Sequence, residues 1–538
     1  MDFLPWHDPL DTLIGFLARQ GYYKPYILWR EGAIEYERVS EPSIFPLNQA
    51  VYILSSVPIA WSTPPYTRVR FDQCSRKTQL LSIHHGQTSR QGNGLSLVYR
   101  RRTRVGEYLG QTTDHYNFGL SLYAQRKRWW ARSEGGWNQL QDGIYGGVLY
   151  TDSPQSAFQK ERQPVRMNGA RLRRWYRYAE GEIGLRLSSS TGSFIKARLA
   201  EDRMETETLP ALRSESTLYP DTLPSSGGGL QILSTAEVGL RSRWWKIGVQ
   251  YIQDRGKMRT SEMKTWSASA IESYFAAETK SLSIQLRYRR WIAGAALPAT
   301  FSAGGQWKTG AYETGFSYNL RNLPWMAYQM SRGTTSQNEQ LIRIWAERRF
   351  IVHDTTISPP RLRIWLARWN GAWLADSVFR SRSPFMTTGT AFTGGWRKGH
   401  FGFIAGISLQ RPWSSEKSWH ETVPLLNGWI QPFLRWQINK TPPIYHFGVR
   451  ISGFTKFRPM AYALPVNAFY LEPNYSGLLQ GPYIWTDPYF VVLIRRVMIY
   501  LRVEHATEGL LADGYYLSAW YPMPGRGFSF GVQWDIYN

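Results

Sequence analysis

The chain carries one cysteine, Cys74, in 538 residues. An intrachain disulfide is therefore excluded, and so is any cysteine framework for metal or thiol chemistry. Long apolar runs are missing too. The stretch 489–494 is among the most apolar and is bounded by Asp487 and Arg495, far short of the roughly 18 to 20 residues a membrane-crossing helix needs. The start of the chain, Met1 to Trp6, has no basic region and no apolar core before Asp8, so it does not read as an export signal. Acidic residues are few beside basic ones: 40 Asp and Glu against 64 Lys and Arg, a net charge of +24 and a pI near 9.9. A surplus of that size attracts nucleic acid, anionic solutes or lipid phosphates. It is spread along the chain, with small clusters at 100–104 and 171–177.

Aromatic residues, by contrast, are abundant: 25 Trp, 32 Tyr and 24 Phe, in a chain with only 43% hydrophobic residues and a mean hydropathy of -0.40. That load is heavy, and the aliphatic load light, for soluble domains. The end of the sequence shows how the two facts fit together. Phe528, Phe530, Val532, Trp534 and Ile536 alternate with Gly527, Ser529, Gly531, Gln533 and Asp535. A period of 2 sets one side of a strand against an apolar phase and the other against a polar one. In a transmembrane barrel only every second strand residue meets lipid, the lumen face stays polar, and aromatic girdles mark both interfaces.

The same alternation recurs at 245–251, 282–288, 312–318, 362–366, 401–409 and 445–451. Segments of about 9 to 11 residues suit a tilted membrane strand. The fold class expected is all-β: an antiparallel transmembrane β-barrel of roughly 16 to 22 strands with short periplasmic turns and long extracellular loops. The loops are placed near 141–164, 204–228, 370–384, 411–427 and 456–487, with a short turn at 398–400. The barrel is assigned to 49–538, and 1–48, which lacks the rhythm, to a periplasmic extension or plug. On this reading Ile284, Leu286, Phe447, Val449, Phe528, Val532 and Trp534 face lipid. The opposite face then carries Arg287, Arg289, Arg343, Arg363, Arg435 and Arg450, the lumen-facing candidates. Rings of arginine favour anions, unless these arginines pair with lumenal acids such as Glu347 and Asp535.

Other chemistries are weaker. A hydrolase would need Ser and His oriented by a third group; His84 and His85 beside Ser82, or His446 beside Ser452, are candidates without a motif. Successive residues such as His84 and His85 face opposite sides of a strand. The acids Glu201, Asp202, Glu205 and Glu207 lack calcium-loop spacing and read as a solvated extracellular loop. The glycines 227–229 read as a flexible loop. "RLRRWYRY" at 171–178 interleaves base and aromatic as single-stranded nucleic-acid binders do, yet the same mixture suits a strand end where Trp and Tyr lie at headgroup level and Arg meets phosphate. No nucleic-acid partner is expected. A soluble or surface aromatic-rich β-protein binding polysaccharide is the alternative function; it would also show alternation, but no blade repeat is present.

Between 63 and 147 stand "TPPYT" at 63–67, Gln79, "HHGQT" at 84–88, "YRRR" at 99–102, "GEYLGQ" at 106–111, "NFGL" at 117–120, Asn138, Asp142, Gly143, Gly146 and Gly147. With these residues the stretch 63–147 resembles the putative-porin family of Bacteroidota outer membranes. At the other end the resemblance rests on "IYLRVEH" at 499–505, "GYY" at 514–516 and "YPMPGR" at 521–526. The family pattern departs at the missing signal and at Asn538, where many barrels end in an aromatic. The resemblance implies an outer-membrane barrel with porin activity, that is, passive diffusion of small hydrophilic solutes, and it brings no catalytic residue, cofactor or metal. The partners expected are outer-membrane lipids and lipopolysaccharide, the barrel assembly machinery and small solutes.

Overall fold

A strand with one apolar and one polar face still has a backbone whose N–H and C=O groups only a neighbouring strand can satisfy. The computed structural model describes Val57 and most of residues 65–537; stretches of five or more residues outside that description are 145–169, 208–226, 294–298, 323–337, 350–357, 414–420, 438–442, 471–480 and 511–515. Within it, 22 strands satisfy one another in a single antiparallel sheet. The sheet closes on itself. Tyr66–Cys74 pairs on one side with Thr78–Thr88 and on the other with the last strand, Gly527–Tyr537, so that Tyr66 faces Tyr537 and Cys74 faces Ser529. Closure leaves no open edge, the condition for a sheet to stand in hydrocarbon. At a strand spacing of about 4.8 Å and a tilt of about 40°, such a sheet forms a cylinder about 45 Å across. The residues assigned by sequence to 1–48 lie outside the described ones.

Strands adjacent in sequence are adjacent in the sheet, an up-and-down meander. At one rim the connections are tight: 126–128, 243–244, 310–311, 399–400 and 495–496. Gly399 adopts a φ of 59°, the left-handed conformation that two-residue hairpin turns require. At the other rim, strands are separated by 145–169, 208–226, 455–482 and 505–526. Short turns belong to the periplasmic side and long loops to the outside. Three of the long connections hold small two-stranded pairs: Ala372–Ala375 with Val378–Ser381, Ala461–Ala463 with Ala468–Tyr470, and Tyr516–Ser518 with Tyr521–Pro522.

The outward face is apolar. Leu286, Phe447, Phe528 and Trp534 are 41 to 52% exposed, and Ile284, Val449 and Val532 on the same faces are half-buried. Inward neighbours are polar and covered, among them Asp72, Asn138, Arg174, Glu272 and Ser529. A protein that exposes its aliphatic groups and covers its charges is built for a surrounding lipid phase.

Three expectations need correcting. The glycines 227–229 begin the strand Gly227–Ser242, with Gly229 paired to Met204. Glu201, Asp202, Glu205 and Glu207 belong to the strand Thr191–Glu207, not to a loop. The strand Tyr483–Ile494 starts inside the stretch assigned to the loop 456–487. In each case backbone pairing with a long neighbouring strand overrides a composition that favours turns or solvent.

The six strands from Trp129–Ile144 to Met263–Glu278 are 15 to 17 residues long, against 8 in Val497–Glu504 and 11 in Ile444–Phe454 and Gly527–Tyr537. About 9 to 11 residues suffice to cross the bilayer. One side of the barrel therefore rises well above the other.

Candidate functional site: the inner wall of the barrel

Antiparallel register decides which inward side chains meet, because partners directly opposite or one step diagonal lie within reach. Tyr176 stands opposite Asp202 and Arg174 opposite Met204, so Arg174 reaches Asp202 diagonally. Its Nε lies 2.8 Å from Oδ1, and its Nη2 closes a second bond to Oδ2. Beside it, Asn117 donates to Asn138 at 2.7 Å, and Asn138 donates to the Tyr176 carbonyl at 3.2 Å. His115 lies 2.7 Å from Asp142. Arg198 donates to the Tyr176 hydroxyl at 2.7 Å, while Lys196 pairs with Glu180 at 2.9 Å.

The pattern continues around the wall. Lys246 and the Tyr274 hydroxyl both bind Glu237, and Arg68 binds Asp535 at 2.6 Å. Asp72 accepts from Arg70 at 2.8 Å and from the Tyr500 hydroxyl. Asp487 pairs with Arg502 and accepts the His505 backbone N–H at 2.8 Å. Charges removed from water this way persist only because each has its counter-charge in place.

The six arginines singled out by alternation fall into this wall unequally. Arg289 and Arg287 converge on the buried Glu272, at 2.6 and 3.4 Å. Arg363 donates to Glu347 at 3.0 Å. Arg450 is buried, packs its guanidinium 4.4 Å over the Trp429 ring and donates to Ser452 at 3.4 Å. Arg435, half-buried, stands opposite His446. Arg343 shares the strand parity of Glu347 and stands opposite Ser317; its side chain is outside the described residues. The pairs to Glu272, Glu347 and Asp535 are those in which arginine meets lumenal acid instead of forming an uncompensated ring.

Of the candidate bases, His446 and His84 lie in the polar wall, whereas His85, opposite Thr67, lies on the outward face. His446 contacts the Tyr489 hydroxyl at 2.9 Å, and Ser452, six residues along the strand, is about 20 Å away at a rise of about 3.4 Å per residue. His85 contacts Thr67 at 2.8 Å and His84 contacts Ser96 at 3.3 Å.

Sequence reading missed the acids Asp202, Glu237 and Glu272 and the inward aromatics. Parity counted from an outward residue would have reached them: Ile271 is exposed, so Glu272 turns in. The aromatics form stacks. Phe433, His446 and Tyr489 lie face to face, with ring centroids at 4.6 and 5.5 Å. Gln431 donates to the Tyr489 hydroxyl at 2.7 Å. Gly448 lies beneath that ring, and a Cβ there would collide with it. At the outer end of the same strands Phe454 meets Phe457 and Tyr483 edge-on, both at 5.3 Å.

Val57, from before the first strand, reaches the wall. It is 1% exposed and packs against the inward Val98. Arg132 Nη2 donates to its carbonyl at 3.1 Å.

These last strands carry a recognisable signature. Residues 443–538 match the family "Putative porin". The matched segment contains the barrel strands Ile444–Phe454, Tyr483–Ile494, Val497–Glu504 and Gly527–Tyr537, the last of which closes the barrel. Most of the chain is similar in fold to solved structures. One is the siderophore receptor PiuA from Acinetobacter baumannii, at 10% identity and a TM-score of 0.61, covering 90% of this chain and 82% of that one. Another is the ferripyoverdine receptor of the outer membrane of Pseudomonas aeruginosa, at 10% identity and a TM-score of 0.63, covering 88% and 72%. The copper transporter OprC gives 9% identity and a TM-score of 0.62, covering 89% and 82%. At such identity the likeness is one of fold alone. No curated protein matches the chain in sequence. The fold is that of an outer-membrane-type β-barrel, and its last strands match the putative-porin family.

Proposed function

We propose that the protein is a passive channel for small hydrophilic solutes across the outer membrane. The observation that carries this reading is the inner wall, where paired charges such as Arg289–Glu272, Arg363–Glu347 and Arg68–Asp535 recur around the circumference. A polar interior is what a water-filled barrel presents to a solute. The same pairs reduce the anion preference expected from arginine alone, since a guanidinium bonded to a carboxylate presents little net field to a passing ion. The channel we propose is therefore only slightly anion-selective, and catalysis plays no part in it.

Reconstitution in a planar bilayer under a salt gradient tests this. Stepwise conductance with a reversal potential close to zero, on the anion side, is the expected result. Strong cation selectivity would overturn the charge reading, and silence from well-folded protein would overturn the open channel.

Selective uptake through a filled lumen is the second reading. Barrels of 22 strands are the size at which outer-membrane transporters carry a plug, and Val57 is seated on the inner wall. Of the similar structures named above, one is a siderophore receptor, one a ferripyoverdine receptor and one a copper transporter. Removing residues 1–48 separates the readings. A large rise in conductance favours the filled lumen, and an unchanged conductance favours the passive channel.

A further inference from the structure

Above the apolar band, the tall side of the barrel turns basic on its outward face. On Ala170–Arg186 the even positions Leu172, Arg174, Tyr176 and Tyr178 are buried on the inner wall. The odd positions therefore point out, and Ile183 and Leu185 on that face are 64 and 57% exposed. Followed toward the long-loop rim, the same face reads Arg177, Trp175, Arg173, Arg171. On the next strand Arg203 stands opposite Trp175. Its guanidinium lies 5.3 Å over the Trp175 ring, and its Nε donates to Glu205 at 3.0 Å. Two strands farther, Arg255 and Lys257 extend the row, opposite Ile232 and Leu230.

Height places this row. A strand tilted about 40° climbs about 2.6 Å per residue, so Arg177 stands about 21 Å above Leu185 and Arg173 about 31 Å. The apolar band of such barrels is about 25 Å tall. The arginines thus bracket its upper edge, where the phosphates of the outer leaflet lie. Carboxylates share the face: Glu201 opposite Arg177, Glu205 opposite Arg173 and Glu207 opposite Arg171. Six cations against these three leave the row basic, and Arg173 and Arg177 make no ion pair with a described residue.

We propose that Arg171, Arg173, Arg177 and Arg203, with Trp175 as interfacial anchor, bind the phosphate groups of the outer-leaflet glycolipid. Guanidinium matches phosphate with two parallel hydrogen bonds, and an indole beside it holds the strand at headgroup depth. The opposite rim offers a contrast: its outward face presents Trp129, Trp307 and Tyr312, all exposed. The belt is independent of how the lumen works.

The test uses the full-length barrel in detergent, titrated with fluorescent bisphosphorylated lipid A, dephosphorylated lipid A and inorganic phosphate as competitor. Affinity falls about fivefold for each of Arg171→Ser, Arg173→Ser and Arg177→Ser, and on the order of a hundredfold for the triple variant. Lys127→Ser with Arg128→Ser and Arg348→Ser removes equal charge at the short-turn rim and leaves lipid A binding unchanged. Heat-modifiable migration on a gel verifies that each variant is folded. Dephosphorylated lipid binds the wild type no better than lipid A binds the triple variant, and free phosphate fails to displace lipid A. Equal binding by wild type and triple variant, equal loss in the rim control, equal binding of dephosphorylated lipid, or full displacement by free phosphate would each overturn the proposal.

Discussion

The tall side of the barrel and its C-terminal side obey one rule of parity and fill their inner faces differently. Between Trp129 and Glu278 the long strands join through buried ion pairs and hydrogen bonds, Arg174 to Asp202 and Lys196 to Glu180 among them. Between Leu426 and Ile494 the inner face relies on stacked rings, Phe433 on His446 on Tyr489, with Arg502 and Asp487 as a charged pair beside them. On the outside the tall side turns basic above its apolar band. The C-terminal strands instead stay apolar to the rim, with Ile484 and Phe528 more than half exposed there. Inward chemistry is thus free to vary along the wall, whereas the outward face is fixed by the lipid it meets.

Breaking the tall side should cost most. Asp202→Ala strands Arg174, which is 0% exposed, and leaving one partner of a buried pair unmatched costs about 3 to 5 kcal/mol. Urea unfolding in detergent micelles measures it, and a loss below about 1 kcal/mol would show that water reaches Arg174.

Next comes the outer face of the C-terminal side. Val449→Arg puts a charge into lipid near mid-bilayer, at about 2 to 4 kcal/mol, and should cut assembled barrel sharply. Arg287→Ser on the inner face, where the side chain is 48% exposed, should cost less than about 1 kcal/mol. Arg450→Ser would be no such mild control, because Arg450 is buried over Trp429. Equal yields of Val449→Arg and Arg287→Ser would contradict the assigned faces.

A smaller effect sharpens the aromatic half of the comparison. Gly448→Ala forces the Tyr489 ring off its seat, and overpacking of this kind costs about 1 to 3 kcal/mol. Tyr489→Leu in the same background should recover part of the loss; no recovery would mean that the glycine serves the backbone alone. Smallest of all is Arg101→Ser on the outer face. The Arg101–Asp114 pair spans 3.5 Å with both side chains at least 40% exposed, and such pairs contribute about 0 to 1 kcal/mol.

Much of this architecture was legible beforehand because lipid imposes period 2 on the sequence itself. Residues 282–288, 445–451 and 528–536 announce strands, and the strands found there are Leu282–Ala293, Ile444–Phe454 and Gly527–Tyr537. What stayed hidden depends on register. Nothing local links Arg174 to Asp202, 28 residues on, and a reading by composition sent that aspartate to a solvated loop. Strands that run beyond the apolar band lose the alternation that marks them, so Gly227 to Gly229 read as loop although they pair with Thr206 to Met204. The inner wall was legible as polar, but its division into paired charges and stacked rings was not.

The alternation of wet and greasy faces is the claim on which everything else stands, and spin labels along Leu282–Ala293 test it most directly. Single cysteines at Ser283, Ile284, Gln285, Leu286, Arg287 and Tyr288, in a Cys74→Ser background, are labelled in the barrel reconstituted in lipid vesicles. Relaxation by dissolved oxygen should be strong at 284, 286 and 288, and relaxation by a water-soluble nickel complex strong at 283, 285 and 287. Accessibility without period 2, or nickel reaching both sets equally, would contradict a lipid-facing wall around a polar lumen.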